Sequence, residues 1–219
     1  MNALIAARAV VDRADALGFT ALMLAAEKSH EAIVAALHRV AGASVHHASN
    51  DGRSALHMAA QQGHLGVVRY LLRAAANPNV VSTEGKRVSP LNLASGYGHP
   101  TVVQALIEGG ANVNHSKSDD GATSLILAAQ NGHIEVVRAL LAAGANVDHA
   151  DTQGATSLIQ AAQNGHIEVV RALLAANADP RIVAFNGHTA LSAAKANNHP
   201  AITALLEARL AELAAAGSA

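Results

Sequence analysis

GATSLILAAQNGHIEVVRALLAAGANVDHAD, residues 121–151, is followed by a near copy, GATSLIQAAQNGHIEVVRALLAANADPRIVA, residues 154–184. Such close copies, offset by 33 residues, make internal repetition the strongest signal in the chain. Within 121–151, Thr123 stands where its side chain can cap a short first helix carrying Leu125, Ala128 and Ala129. Gly132 ends that helix. Val136, Val137, Leu140 and Leu141 then recur at spacings of three and four, which puts one apolar stripe on a second helix. Gly144 suits a left-handed C-terminal position, and the polar ANVDHADTQ after it suits a projecting hairpin. Neither helix is long enough to stand alone, so each unit must bury its stripe on the next.

Working outward, the register recurs from Gly18, Gly52, Arg87, Gly121, Gly154 and Gly187, at intervals of 34, 35, 34, 33 and 33 residues. The expected organisation is an all-α solenoid of helix-turn-helix units with projecting hairpin loops. A partial repeat at 1–17 precedes repeats at 18–51, 52–86, 87–120, 121–153 and 154–186, and a capping repeat covers 187–219. The partial repeat follows from laying NALIAARAVVDRADALG over RALLAAGANVDHADTQG, residues 138–154, which sets Leu4 and Ile5 on Leu140 and Leu141. It contains a second helix and hairpin without a first helix, and its apolar edge either packs on something else or belongs to a longer chain. At the other end, Ile202, Leu205, Leu206, Leu210 and Leu213 form a stripe that no glycine interrupts, which predicts a longer last helix. The tail AAAGSA is expected to fray.

Composition narrows the function classes. Lys and Arg number 15 against 16 Asp and Glu, a balance that argues against a protein-wide nucleic-acid surface. There is no cysteine, which removes disulfides, thiolate zinc sites and Cys nucleophiles. No apolar run approaches the length of a membrane span. Arg8, Asp12, Arg13 and Asp15 interrupt the opening where a secretory leader would be apolar, so the expected setting is the cytoplasm, or a host cytosol for a delivered effector.

The period and wording resemble the ankyrin repeat family, whose pattern is close to G-x-T-P-L-H-x-A-A-x-x-G-H, then V-V-x-x-L-L, then G-A. The Thr position is filled by Thr20, Ser54, Ser89, Thr123, Thr156 and Thr189, and the Leu position by Leu22, Leu56, Leu91, Leu125, Leu158 and Leu191. The Gly-His step is complete at His64, His99, His133 and His166, and drifts to Ser29-His30 and Asn198-His199 at the ends. The family's Pro survives only as Pro90 and the His after its Leu only as His57, so bonding between repeats through those residues is expected to be weakened. Asn177 stands in place of the turn glycine.

The resemblance implies a module that binds another protein or peptide through its hairpin tips and the first-helix surface of a concave side. Carried over position by position, that surface includes Phe19, Arg53, Gln61, Gln62, Tyr97, Gln130, Asn131, Gln163 and Asn164, with Tyr97 as its large anchor. Met58 shares a register with Leu24, Leu93, Leu127 and Gln160, read chiefly as framework partly buried between helices. Two loops depart in length, residues 77–89 and 115–121, and the specificity determinants are expected there, Glu84 and Arg87 among them.

Thirteen histidines invite a metal reading. Six lie at the Gly-His step, where a role in stabilising the turn accounts for them. His47, His115 and His149 sit on hairpins, where imidazoles could make binding pH-dependent, but whole repeats separate them. The residual metal candidate is a two-residue pair, His115 with Asp148. No cofactor is implied, and no nucleophile elbow, phosphate loop or HExxH pattern occurs. The alternative from another class is an enzyme or small-ligand binder that uses the groove. A third is a structural module that self-associates through its N-terminal edge.

Overall fold

Each first helix begins at a residue whose side chain can take up a free N–H group. In the computed structural model, which describes residues 10–83 and 87–216, all six Thr or Ser positions of the repeat are N-caps in extended backbone. Thr20, Thr123 and Thr156 accept from the backbone N–H three residues on at 3.4 Å. Where a polar residue stands at that third position the cap tightens. Ser89 and Thr189 accept at 3.2 Å, and Asn92 and Ser192 bond back to the cap's own N–H at 3.1 and 2.9 Å.

Twelve α-helices result among the described residues. They are α1 (Ala21–Glu27), α2 (Glu31–Arg39), α3 (Ala55–Gln62), α4 (Leu65–Arg73), α5 (Pro90–Gly96) and α6 (Pro100–Glu108), followed by α7 (Ser124–Gln130), α8 (Ile134–Ala142), α9 (Ser157–Gln163), α10 (Ile167–Ala175), α11 (Ala190–Ala196) and α12 (Pro200–Ala216). Between them lie hairpins with isolated antiparallel bridges, Ala48 to Ser54, Ser116 to Thr123 and Ala150 to Thr156. Among the described residues no helix is long and apolar enough to cross a membrane.

The chain forms two compact units, residues 1–112 and 113–219. In the first, α1, α3 and α5 pack in a row and α2, α4 and α6 in a second row. Its core is the Leu of every first helix with the paired valines of the second, Val67 and Val68 on α4 and Val102 and Val103 on α6. The second unit repeats the plan: α7, α9 and α11 form one row and α8, α10 and α12 the other. Val136, Val137 and Leu140 are buried on α8, and Val169, Val170 and Leu173 on α10. A nine-residue helix cannot hold itself in water, and burying such a stripe stabilises it by roughly 1.5–3 kcal/mol per large side chain.

Neighbouring repeats are also tied through backbone and Asn/Asp groups in the hairpins. Within the first unit the Asn50 N–H donates to the Leu17 carbonyl and the Thr83 N–H to that of Asp51, at 3.0 and 2.8 Å. Within the second, Thr152 donates to Asp120 and Phe185 to Gln153, at 2.8 and 2.9 Å. A parallel ladder uses side chains. Asp12 accepts from the Ser44 N–H at 3.0 Å, Asn114 from Asn146 at 2.8 Å and Asp148 from Asp179 at 2.9 Å. One carboxylate oxygen of Asp148 is therefore taken by the next repeat's backbone.

The ends differ in part from expectation. Leu4 and Ile5, on which the N-terminal second helix was based, lie outside the described residues. The last helix runs 17 residues against nine for the other second helices of its unit. It continues through Ala214, Ala215 and Ala216, which were expected to fray, because alanine has the highest helix propensity and nothing there stops the chain. Gly217 to Ala219 lie outside the described residues.

Candidate binding surface

The first helices end in a fixed way, and that end carries most of the candidate surface. Every Gly-His imidazole with a described bond within its unit donates from Nε2 to a carbonyl at the end of the preceding repeat's first helix. His64 reaches Glu27 at 2.8 Å and His99 reaches Gln61 at 2.9 Å. In the second unit His166 reaches Gln130 and His199 reaches Gln163, at 3.0 and 3.1 Å. These side chains were expected to stabilise their own turns. Instead they bridge repeats and satisfy carbonyls that a helix end leaves without partners. The glycine of the step is needed because the next imidazole lies against it: a Cβ on Gly63 would stand 2.6 Å from His99 Nδ1.

In the first unit this positioning assembles a polar bridge. Tyr97, C-cap of α5, is 58% exposed and its hydroxyl accepts from Gln61 Nε2 at 3.3 Å. The same Gln61 side chain accepts from the Arg53 guanidinium, so one amide joins a hairpin cation to an aromatic ring. Arg53, Gln61, Gln62 and Tyr97 were all expected on the surface, and it is Gln61 that connects Arg53 to Tyr97. Gln62 is exposed, and Phe19 is half-buried at its hairpin. Leu24 on α1 is 47% exposed, whereas Met58, one repeat on, is 6% exposed. Met58 therefore belongs to the core: a partner cannot reach a thioether closed in between helices.

His57 explains part of how α3 is held. It is fully buried, its Nδ1 accepts from the Ser54 N–H at 3.0 Å, and its Nε2–H donates to the Val88 carbonyl of the next repeat at 2.9 Å. Burial pushes the imidazole down to about 4, the Val88 bond acts the other way, and the Arg53 charge adds to the lowering against a smaller effect of Asp51. It is thus a neutral, structural histidine at neutral pH. Asn92 on α5 and Ser192 on α11 repeat the cap contact, and Met23, Ile126 and Ile159 fill that position in the other repeats.

In the second unit the amides divide into two kinds. Asn131 and Asn164 are helix C-caps whose Nδ2 groups donate to the Leu127 and Gln160 carbonyls, both at 2.9 Å. One donor of each amide is thus committed to the fold. Gln130 and Gln163 are exposed, and among the described residues their side chains make no hydrogen bond. The hairpin imidazoles are engaged too: His149 donates to the Gly121 carbonyl at 3.0 Å, and His47 in the first unit to that of Gly18 at 3.1 Å. Both are half-buried rather than open to solvent.

The two longer loops hold their charges in different ways. In 115–121, Lys117 has a side chain only 10% exposed, pairs with Asp120 at 2.9 Å and lies 3.7 Å from Asp119. Burial alone would raise the Asp120 carboxyl, but hydrogen bonds from Lys117 and the Ala122 N–H outweigh it and hold the group below its usual range. That charge is spent inside the loop. In 77–89, Arg87 is exposed with a left-handed backbone, and Glu84 lies outside the described residues. Sequence reasoning missed Phe185, 80% exposed at a hairpin tip of the second unit. Its signal was available, since the corresponding tip positions are Asn50, Asp119 and Thr152.

A chain of capped helix pairs, joined by hairpins and tied across repeats by imidazole and Asn/Asp ladders, defines a stacked helical-repeat protein that presents short exposed helix ends. A family model for ankyrin repeats matches it three times, over residues 1–82, 91–184 and 145–215, and the chain belongs to the ankyrin-repeat family. A comparison with curated proteins returned no match. Ankyrin repeats are generally protein–protein interaction modules.

Proposed function

We propose that this chain recognises a partner protein or peptide through its first-helix ends, with the Arg53–Gln61–Tyr97 bridge of the first unit as the anchor. The observation that carries this reading is Tyr97, a large aromatic that is exposed yet held by a hydrogen bond at its hydroxyl. An aromatic already ordered before binding loses less rotamer freedom when covered, and Tyr and Arg are the types most often found at interface hot spots. Leu24, and Leu93 at the corresponding position of α5, add apolar area beside polar groups, while Gln62 and Arg87 add hydrogen-bond donors. In the second unit, Gln130 and Gln163 offer unengaged amides and Phe185 an apolar tip. Asn131 and Asn164 serve mainly to fix those helix ends.

The test is quantitative affinity capture from cell lysate with the wild type beside Tyr97→Ala/Gln61→Ala, each shown by circular dichroism to be folded. Loss of a hot-spot anchor is expected to cost about 2 kcal/mol, a weakening of roughly thirtyfold for the captured partner. A partner enriched equally by both proteins refutes the assignment of the anchor.

A further inference from the structure

The second helices of the two units differ in how they handle charge. In the second unit, α8 and α10 carry the same IEVVRALLA, and each arginine is paired within its helix: Arg138 with Glu135 at 3.0 Å and Arg171 with Glu168 at 3.5 Å. In the first unit, α4 reads LGVVRYLLR. Gly66 stands where the glutamate would be, so Arg69 has no partner one turn away, and Arg73 replaces an alanine at the end. The neighbouring α2 ends in His38 and Arg39. Arg39, Arg69 and Arg73 are exposed and form no ion pair among the described residues.

These ends enclose a cleft of about 280 Å³, lined by His38, Arg39, Tyr70, Arg73 and Ala74. The Tyr70 hydroxyl lies 3.0 Å from His38 Nδ1 and the two rings meet edge-on at 84°. Two acids belong to the helices around the cleft. Glu31, in the first turn of α2, lays its carboxylate over Gly66 at the far end of α4, and Glu108 on α6 accepts from Gln104 at 2.9 Å. A cation at a helix C-terminus complements the helix dipole, which accounts for Arg39 and Arg73 singly. It does not account for Tyr70, whose position is alanine at Ala36, Ala105, Ala139 and Ala172 and leucine at Leu205 in the other repeats.

We propose that this cleft is a second binding site, separate from the first-helix surface, that takes the carboxylates of an acidic protein segment. Guanidinium forks match carboxylates two bonds at a time, and the opening holds one or two acidic side chains rather than a folded surface. The local charge is positive on a chain whose formal net charge is −1, so the attraction is confined to this end of the first unit.

The experiment is fluorescence anisotropy with the full chain and two labelled peptides, hexaglutamate and hexaglutamine, each flanked by glycine, at about 50 mM salt, where screening is weak. The expected result is hexaglutamate bound at least about tenfold tighter than hexaglutamine, with that advantage shrinking as salt rises. Arg39→Gln/Arg73→Gln should lose it, Tyr70→Phe should weaken it about threefold, and Arg138→Gln/Arg171→Gln should stay within about twofold of wild type. Equal binding of the two peptides, equal losses in the two double variants, or complete displacement by a few millimolar inorganic phosphate at constant ionic strength would each overturn the proposal. The last would mark a small-anion site instead.

Discussion

Gly132 and Gly144 lie in one repeat, both in the left-handed backbone region at φ +75° and +81°, yet they face different surroundings. A Cβ on Gly144 meets nothing within 4 Å. One on Gly132 would stand 2.6 Å from His166 Nδ1 and 2.7 Å from its Cε1. Gly144→Ala should therefore cost only the left-handed penalty less the gain from a stiffer unfolded chain, about 1 kcal/mol net. Gly132→Ala incurs that and displaces the imidazole, which gives up its 3.0 Å bond to the Gln130 carbonyl and the packing around it, for a total of about 3 kcal/mol. Urea unfolding followed by far-ultraviolet circular dichroism suits a chain with no tryptophan. With a slope near 2 kcal/mol per molar, the two midpoints should differ by about 1 M. His166→Ala closes a double-mutant cycle: it should cost about 1–2 kcal/mol alone and almost nothing beside Gly132→Ala. Equal midpoints for the two glycine variants, or strictly additive losses in the cycle, would refute the idea that the imidazole's approach requires this glycine.

Stability should also depend on pH through His57. Its folded value of about 4 lies below the ordinary 6.5, so the unfolded chain binds more protons between those values, and stability that is complete above pH 6.5 falls away as pH drops toward 4. The full difference is about 3 kcal/mol, and His57→Asn, which mimics Asn92, should flatten that part of the pH profile of urea midpoints. A profile unchanged by the substitution would remove His57 as its origin. Ser157 occupies the family's proline position at the start of α9 and buries a hydroxyl without a hydrogen-bond partner. Thr156 before it is already extended at φ −93° and ψ 169°, the conformation a following proline demands. Ser157→Pro should thus raise stability by about 1 kcal/mol, and a lower urea midpoint would contradict this account.

Much of the fold was legible because the period is written in side chains with local effects. The Thr and Ser caps act within three residues, the Val-Val and Leu stripe follows helical spacing, and most positive-φ turns coincide with Gly or, at Asn177 and Asn198, with Asn, while Ser29, Ala75 and Arg87 adopt positive φ without that signal. The surface was legible only in outline. Tyr97 stands out by residue type, but nothing in the spacing says that Gln61 rather than Gln62 reaches it, since that depends on which face of α3 meets α5. The Asn and Asp ladder was overlooked although N-V-N and N-V-D recur at 112–114 and 146–148, because hairpin carboxylates and amides usually bond their own turns.

The amino-acid sequence by itself determined the repeat, its helix pairs and the family, because those rest on local propensity and on a pattern seen six times over. Tertiary structure decided what each polar side chain is for. It turned the Gly-His imidazoles from turn residues into bridges across repeats, buried Met58, committed Asn131 and Asn164 to helix ends, and gathered His38, Arg39, Tyr70 and Arg73 into one cleft. A hydrogen bond's partner lies about 30 residues away in such a stack, at a distance set by how the helices pack. That packing emerges only when the stripes are buried together.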